Sequence, residues 1–173
     1  MSTMKNINLR YRHSLSPAIA IILAGTLVAG TLDATGACVA YGPIFGKTTV
    51  ERIFRGIASG VFGKRAMTGG VEMAYYGLLF HYMIALCWTS FYFLIFPYIP
   101  FLRIQKLASG LLYGIFVWCM MNLVVLPIVF SRPPSFHFPS SLTGVLLIMF
   151  LVGLPIAFII PRYYLHRLAT GFP

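Results

Sequence analysis

Four apolar blocks, each long enough to cross a hydrocarbon core, constrain this chain more than any other feature. They run from Pro17 to Tyr41, Val71 to Phe96, Leu107 to Phe130 and Ser141 to Ile160, and a helical crossing takes about 20 predominantly apolar residues. Inside a bilayer no water satisfies the backbone, so segments of this kind become helices. Of the 173 residues, 9% are charged and 59% hydrophobic, against about 25% charged in an ordinary soluble domain. A water-facing globule is excluded on this composition, and long apolar blocks exclude disorder. The expected fold class is an all-α integral membrane protein, a single membrane domain over residues 1–173. It has four transmembrane helices plus one amphipathic interfacial helix. A cleaved signal peptide would explain the first block, but that block exceeds a 7–15-residue apolar core and contains Asp33.

Thirteen Lys and Arg against three acids give a formal charge of +10. The bases sit at the ends of the apolar blocks, the ordinary place for them around membrane spans, so no nucleic-acid partner is implied. Four spans put Lys5, Arg10, Arg12, Arg103, Lys106, Arg162 and Arg167 on one side and Lys47, Arg52, Arg55, Lys64, Arg65 and Arg132 on the other. Seven against six barely orients the chain; both termini are expected to be cytoplasmic. Cys38, Cys87 and Cys119 lie within apolar blocks without close pairing, as buried thiols do.

Between the first two blocks, residues 48–63 place Val50, Ile53, Phe54, Ile57, Ala58, Val61 and Phe62 on one helical face. Thr48 and Glu51 have the spacing of a capping box, and Gly63 marks a stop. Two arrangements use this apolar face: a helix lying in the interface, held by anionic headgroups through its basic side, and a cap over the bundle mouth. The interfacial one is favoured. Pro127 and Pro155 fall inside the third and fourth blocks and are expected to kink them. The connection SRPPSFHFPSS carries His137, read as a loop residue without metal partners.

Ionisable groups within a span need a partner, a wet cavity or a function. Asp33 has only small residues at helical spacing (Gly25, Thr26, Ala29, Gly30, Gly36, Ala37, Ala40), whereas Leu27, Val28 and Val39 point elsewhere. It is expected to face the bundle interior, where small residues admit a neighbouring helix. His81 shares a face with Ala74, Gly77, Ala85, Trp88, Thr89 and Tyr92, and Asn122 follows Trp118 by one turn. Counted along alternating helices, Asp33, His81 and Asn122 all lie roughly 12–15 Å below the same surface. These three are the candidate binding residues, forming one polar layer. The layer is either a clasp in which the three satisfy one another or a protonation-linked relay or transport site. Glu72, at the start of the second block, suits a helix N-terminus. There is no phosphate loop, zinc-protease helix or nucleophile elbow, no catalytic residue and no cofactor or metal signature.

The stretches AGTLDA (29–34), RIFRGIASGVFGK (52–64), GLLFHYMIAL (77–86), YGIFVWCMMNLVVLP (113–127) and LVGLPIA (151–157) resemble a family of small, uncharacterised bacterial inner-membrane proteins. The layout of the last two spans and their Pro-Pro connection is distantly similar to the YagU type. The resemblance implies a four-span bundle in the bacterial inner membrane and supplies no activity. A small transporter or permeation/sensor unit built on the polar layer is the leading expectation. The other is a non-catalytic subunit whose small-residue face on the first span docks a partner helix, in a homo-oligomer or with another membrane protein.

Overall fold

The structure is a computed structural model that describes residues 17–44, 46, 48–131, 133 and 138–170. His137, Lys47 and Arg132 lie outside the described residues, as do Lys5, Arg10 and Arg12. The described residues are helical, with no strands among them. The elements are α1 (Pro17–Val39), α2 (Val50–Phe62), α3 (Lys64–Thr68), α4 (Val71–Ile95), α5 (Pro100–Ile104), α6 (Lys106–Cys119), α7 (Leu126–Phe130), α8 (Phe138–Ile148), α9 (Leu154–Ile159) and α10 (Pro161–Thr170). Four continuous helices are long and apolar enough to cross a membrane: span one Pro17–Gly42, span two Val71–Ile95, span three Lys106–Phe130 and span four Phe138–Leu165. Large apolar side chains such as Leu27, Leu79, Leu94 and Ile128 point outward from them, the arrangement of helices solvated by lipid rather than water.

Pro127 and Pro155 do not break spans three and four. Each follows a π-helical stretch, Met120–Val125 before α7 and Met149–Gly153 before α9. Proline lacks an N–H and crowds the carbonyl one turn back, and widening that turn accommodates both effects. The short helices α3 and α5 have no counterpart in the periodicity reading. Gly63, at φ 62, separates α2 from α3, and Pro100 opens α5 at its first turn.

How closely two spans approach follows from the residues at their contact. Span three meets span four main chain to main chain. A Cβ on Gly114 would stand 2.5 Å from Met149 Cα, and one on Gly153 would collide with the Gly110 carbonyl. Gly110 and Gly114 form a four-residue small-residue pair of the kind that lets membrane helices touch. Span one turns Gly25, Thr26, Ala29 and Gly30 inward, where Thr89, Tyr82 and Ile160 fill the space beside the glycines. Spans two and three, by contrast, meet through rings: Trp88 with Phe116 at 6.0 Å and Tyr92 with Tyr113 at 4.8 Å between centroids. Aromatic side chains at that seam hold the two helices apart.

At the level where span two ends and span three begins, this seam is filled. Tyr92, Phe96, Tyr113, Ile156, Ala157 and Ile160 form a buried core. The Tyr113 hydroxyl donates to the Trp88 carbonyl at 2.6 Å and Tyr164 to the Phe93 carbonyl at 2.8 Å. At the opposite end the seam is bridged by α2. Its Ala58 is fully buried, and Phe62 packs on Tyr76 and Phe80 at 5.4 and 5.9 Å. Its Gly60 lies against Val129 of span three. The closest approach is at Gly77 of span two, where any Cβ would collide with the Phe54 carbonyl. Ile53, Phe54, Ile57 and Ala58 therefore turn into the bundle. Gly77 admits the α2 backbone where a larger residue would leave that face to the lipid. Only Val50, Val61 and Phe62 of the expected apolar face remain exposed.

The start of α2 differs by one residue from the capping-box expectation. The N-cap is Thr49, whose side chain accepts from Arg52 N–H at 3.3 Å, rather than Thr48. Glu51 thereby falls one position too early to reach back to the cap. It pairs instead with Arg55 one turn on, at 2.6 Å.

Two glycine-to-alanine substitutions separate these contacts. Gly77→Ala should destabilise by about 1–3 kcal/mol through overpacking against Phe54. Gly56→Ala, with nothing within 4 Å of its added Cβ, should be neutral or stabilising by up to about 1 kcal/mol from helix propensity. Unfolding of the detergent-solubilised protein by titrated dodecyl sulfate measures both, and equal effects would refute the close contact.

Candidate functional site

The widened seam between spans two and three holds a half-open cavity of about 420 Å³. The floor is the aromatic core, with Trp88 and Val117 at its upper edge, and α2 contributes Ile53, Gly56, Ile57 and Gly60 to the wall near the mouth. Spans one and four add Ala29, Gly30, Ile148 and Val152 to its wall. The lining is almost entirely hydrocarbon and aromatic. Asp33, His81 and Asn122 supply its only acidic, basic and amide side chains.

Each of the three arrives by a different local route. Asp33 stands on the small-residue face of α1, beside Gly30, so the helix that carries it can lie close to span two. His81 stands one turn beyond Gly77, where α2 docks, and its ring lies edge-on to Phe54 and Tyr82 at 6.3 and 5.6 Å. Asn122 belongs to the π-helical stretch Met120–Val125, whose Met121 and Val125 also line the cavity. The residues are nine, ten and eight positions from the corresponding helix ends Gly42, Val71 and Phe130, so they share a depth of roughly 12–15 Å.

The hydrogen bonds they make are not those of a mutual clasp. His81 Nε2 lies 2.9 Å from the Gly30 carbonyl. A carbonyl can only accept, so Nε2 carries the proton, and in the neutral ring Nδ1 is left as the acceptor. Asn122 Nδ2 donates to the Trp118 carbonyl of its own helix at 2.9 Å, leaving the amide oxygen for other partners. Asp33 is half-buried and makes no hydrogen bond or ion pair among the described residues, although His81 and Tyr41 lie within electrostatic reach. The layer thus holds three polar groups around one space, two anchored to backbone carbonyls and one carboxylate not engaged by either.

The other two acids are occupied locally. Glu51 pairs with Arg55, and Glu72 accepts from Gly70 N–H at 3.1 Å, sealing the start of α4. The thiols of Cys38, Cys87 and Cys119 are free, and none lines the cavity. The cavity-lining residues of α2 were not among the sequence candidates. Their signal was available in Ile53, Gly56, Ile57 and Gly60, a stripe at three- and four-residue spacing that mixes apolar side chains with glycines. Comparison with protein-family models, curated proteins and solved structures finds no match to this chain.

This geometry makes a specific forecast about stability. A clasp would lose stability when any member is removed. Here Asp33→Asn should leave stability unchanged or raise it, because it removes a carboxylate that has no hydrogen-bonded partner among the described residues in a largely apolar wall. His81→Ala should cost about 0.6–2 kcal/mol by releasing the Gly30 carbonyl bond. Dodecyl sulfate unfolding of both variants decides the matter, and a large loss with Asp33→Asn would restore the clasp.

Proposed function

We propose that this chain is a small polytopic membrane carrier of the bacterial inner membrane, with Asp33, His81 and Asn122 as the binding layer of its cavity. The carrying observation is that the three polar side chains, on three different spans, line one cavity of about 420 Å³. Ligand pockets typically measure about 300–1,000 Å³, mostly apolar with a few convergent polar groups. The packed aromatic core below the cavity favours a one-sided binding chamber over an open pore. An ionisable group facing an intramembrane cavity is the usual mark of a substrate or proton path. His81, with Nε2 held and Nδ1 able to accept, is suited to exchange a proton with that space.

In this reading α2 is the gate-side element. It rests about six residues below the start of span two, roughly 9 Å, with Arg52, Lys64 and Arg65 exposed near anionic headgroups. The expectation that the small face of span one docks a partner helix draws no support from the packing, because side chains of spans two and four occupy it. The resemblance to small four-span inner-membrane proteins fits the carrier reading without specifying a cargo.

Purified protein in liposomes loaded with a pH-sensitive dye tests proton linkage. An imposed pH gradient should relax several-fold faster than in protein-free vesicles. Asp33→Asn should return the rate to the vesicle baseline while its unfolding midpoint is retained. Wild-type relaxation equal to that of empty vesicles would refute a proton-linked carrier.

A further inference from the structure

The charge balance of the cavity identifies the class of molecule it is built to take. Asp33 brings a carboxylate to a wall whose other polar side chains are His81 and Asn122 and whose remainder is aliphatic, aromatic or glycine, and no lysine or arginine is among the lining residues. Arg55 is already paired with Glu51 on α2. The titratable groups near Asp33 are His81 from span two and Tyr41 from its own span. The cavity-facing residues of α2, span three and span four carry no charge. A carboxylate in such a place is balanced by a proton or by a cation that enters the cavity. A cation that enters must also replace its water shell, and the lining offers chiefly apolar surface and the Trp88 and Phe130 rings for that purpose.

A metal ion is poorly served here. Asp33 and His81 are the only two lining side chains of the metal-ligating kind, and no group of three His, Cys, Asp or Glu converges among the described residues. Anions meet a carboxylate and no fixed positive charge. A lipophilic organic monocation meets complementary chemistry on every side: its charge beside Asp33, its hydrocarbon or aromatic body against the wall, and a donor or acceptor to spare at Asn122. We propose that the cavity binds lipophilic ammonium-type monocations through Asp33, with proton and cation competing for the carboxylate. This rests on the reading of the cavity as a binding chamber, and it specifies the ligand's charge.

The test uses an isosteric pair, benzyltrimethylammonium and the neutral hydrocarbon neopentylbenzene, which differ only in a quaternary nitrogen against a carbon. Binding to the full chain in lipid nanodiscs is followed by saturation-transfer NMR, against nanodiscs without protein. The cation should bind saturably and more weakly as the pH is lowered and the proton takes Asp33. Asp33→Asn should weaken the cation by about tenfold or more, the scale of losing a charged contact, while leaving the neutral isostere unchanged. That retained neutral binding also shows that the variant is folded. If cation and isostere bind alike and Asp33→Asn alters neither, the cation assignment is overturned while the binding chamber stands. If neither binds above protein-free nanodiscs, the chamber and the assignment fail together.

Discussion

Main chain touching main chain between spans three and four is the contact on which the rest of the bundle depends. Within a bilayer the lipid is as apolar as the side chains, so helices gain little by hiding hydrocarbon from one another and associate through close packing. Gly110, Gly114 and Gly153 remove the side chains that would keep the backbones apart, and the two helices lock at that height. Span one packs differently, with Gly25 and Gly30 admitting the side chains of Thr89, Ile160 and Tyr82 rather than a neighbouring backbone. Two kinds of seam, close where glycine stands and wide where aromatics stand, leave the bundle unable to close evenly. The cavity is the geometric remainder of that mismatch.

The wide seam is bounded differently at its two ends, and this shapes the cavity. On one side the rings of Tyr92, Phe96 and Tyr113 fill it, and hydroxyls from Tyr113 and Tyr164 spend their polarity on neighbouring backbone carbonyls. On the other side a separate thirteen-residue helix, α2, fills it. The helix is attached through Gly77, Gly63 and the short α3, so its position depends on local contacts rather than on a span of its own. Span three and span four each turn through a π-helical stretch at cavity height, and wider turns of this kind often accompany functional sites.

Much of this was legible in the sequence, and the parts that were not share a cause. Apolar block length pointed to four helices long and apolar enough to cross a membrane, the fourth running Phe138–Leu165 rather than ending at Ile160, because the hydrocarbon core fixes helix length almost independently of tertiary contacts. Depth counting set Asp33, His81 and Asn122 at one level, since rise per residue is constant. Periodicity found α2 and Gly63 its end. It could not say what the apolar face would meet, because lipid and a helix bundle demand the same residues. That answer lay in Gly77, a single glycine on another helix. The cap is Thr49, whose side chain accepts from Arg52 N–H, rather than Thr48, a difference that spacing does not carry. The bonds within the polar layer were likewise out of reach: co-level groups were visible, but their partners turned out to be the Gly30 and Trp118 carbonyls.

The scarcity of acids gives the site its sharpest physical argument. Of three acidic side chains, Glu51 is held by Arg55 and Glu72 by the backbone at the start of α4. Both are exposed, where solvation lowers the cost of charge. Asp33 stands in a largely apolar wall, and among the described residues its carboxylate makes no hydrogen bond or ion pair, with His81 within electrostatic reach. A stability-optimised bundle would carry an apolar or amide residue there, since a half-buried carboxylate without a hydrogen-bonded partner among the described residues costs stability. Groups that cost stability in the absence of a partner gain it when a complementary partner arrives, because a ligand that binds only the folded state adds its binding free energy to it. In the proposed reading, the cavity beside Asp33 admits such a partner, and the carboxylate favours one that brings positive charge.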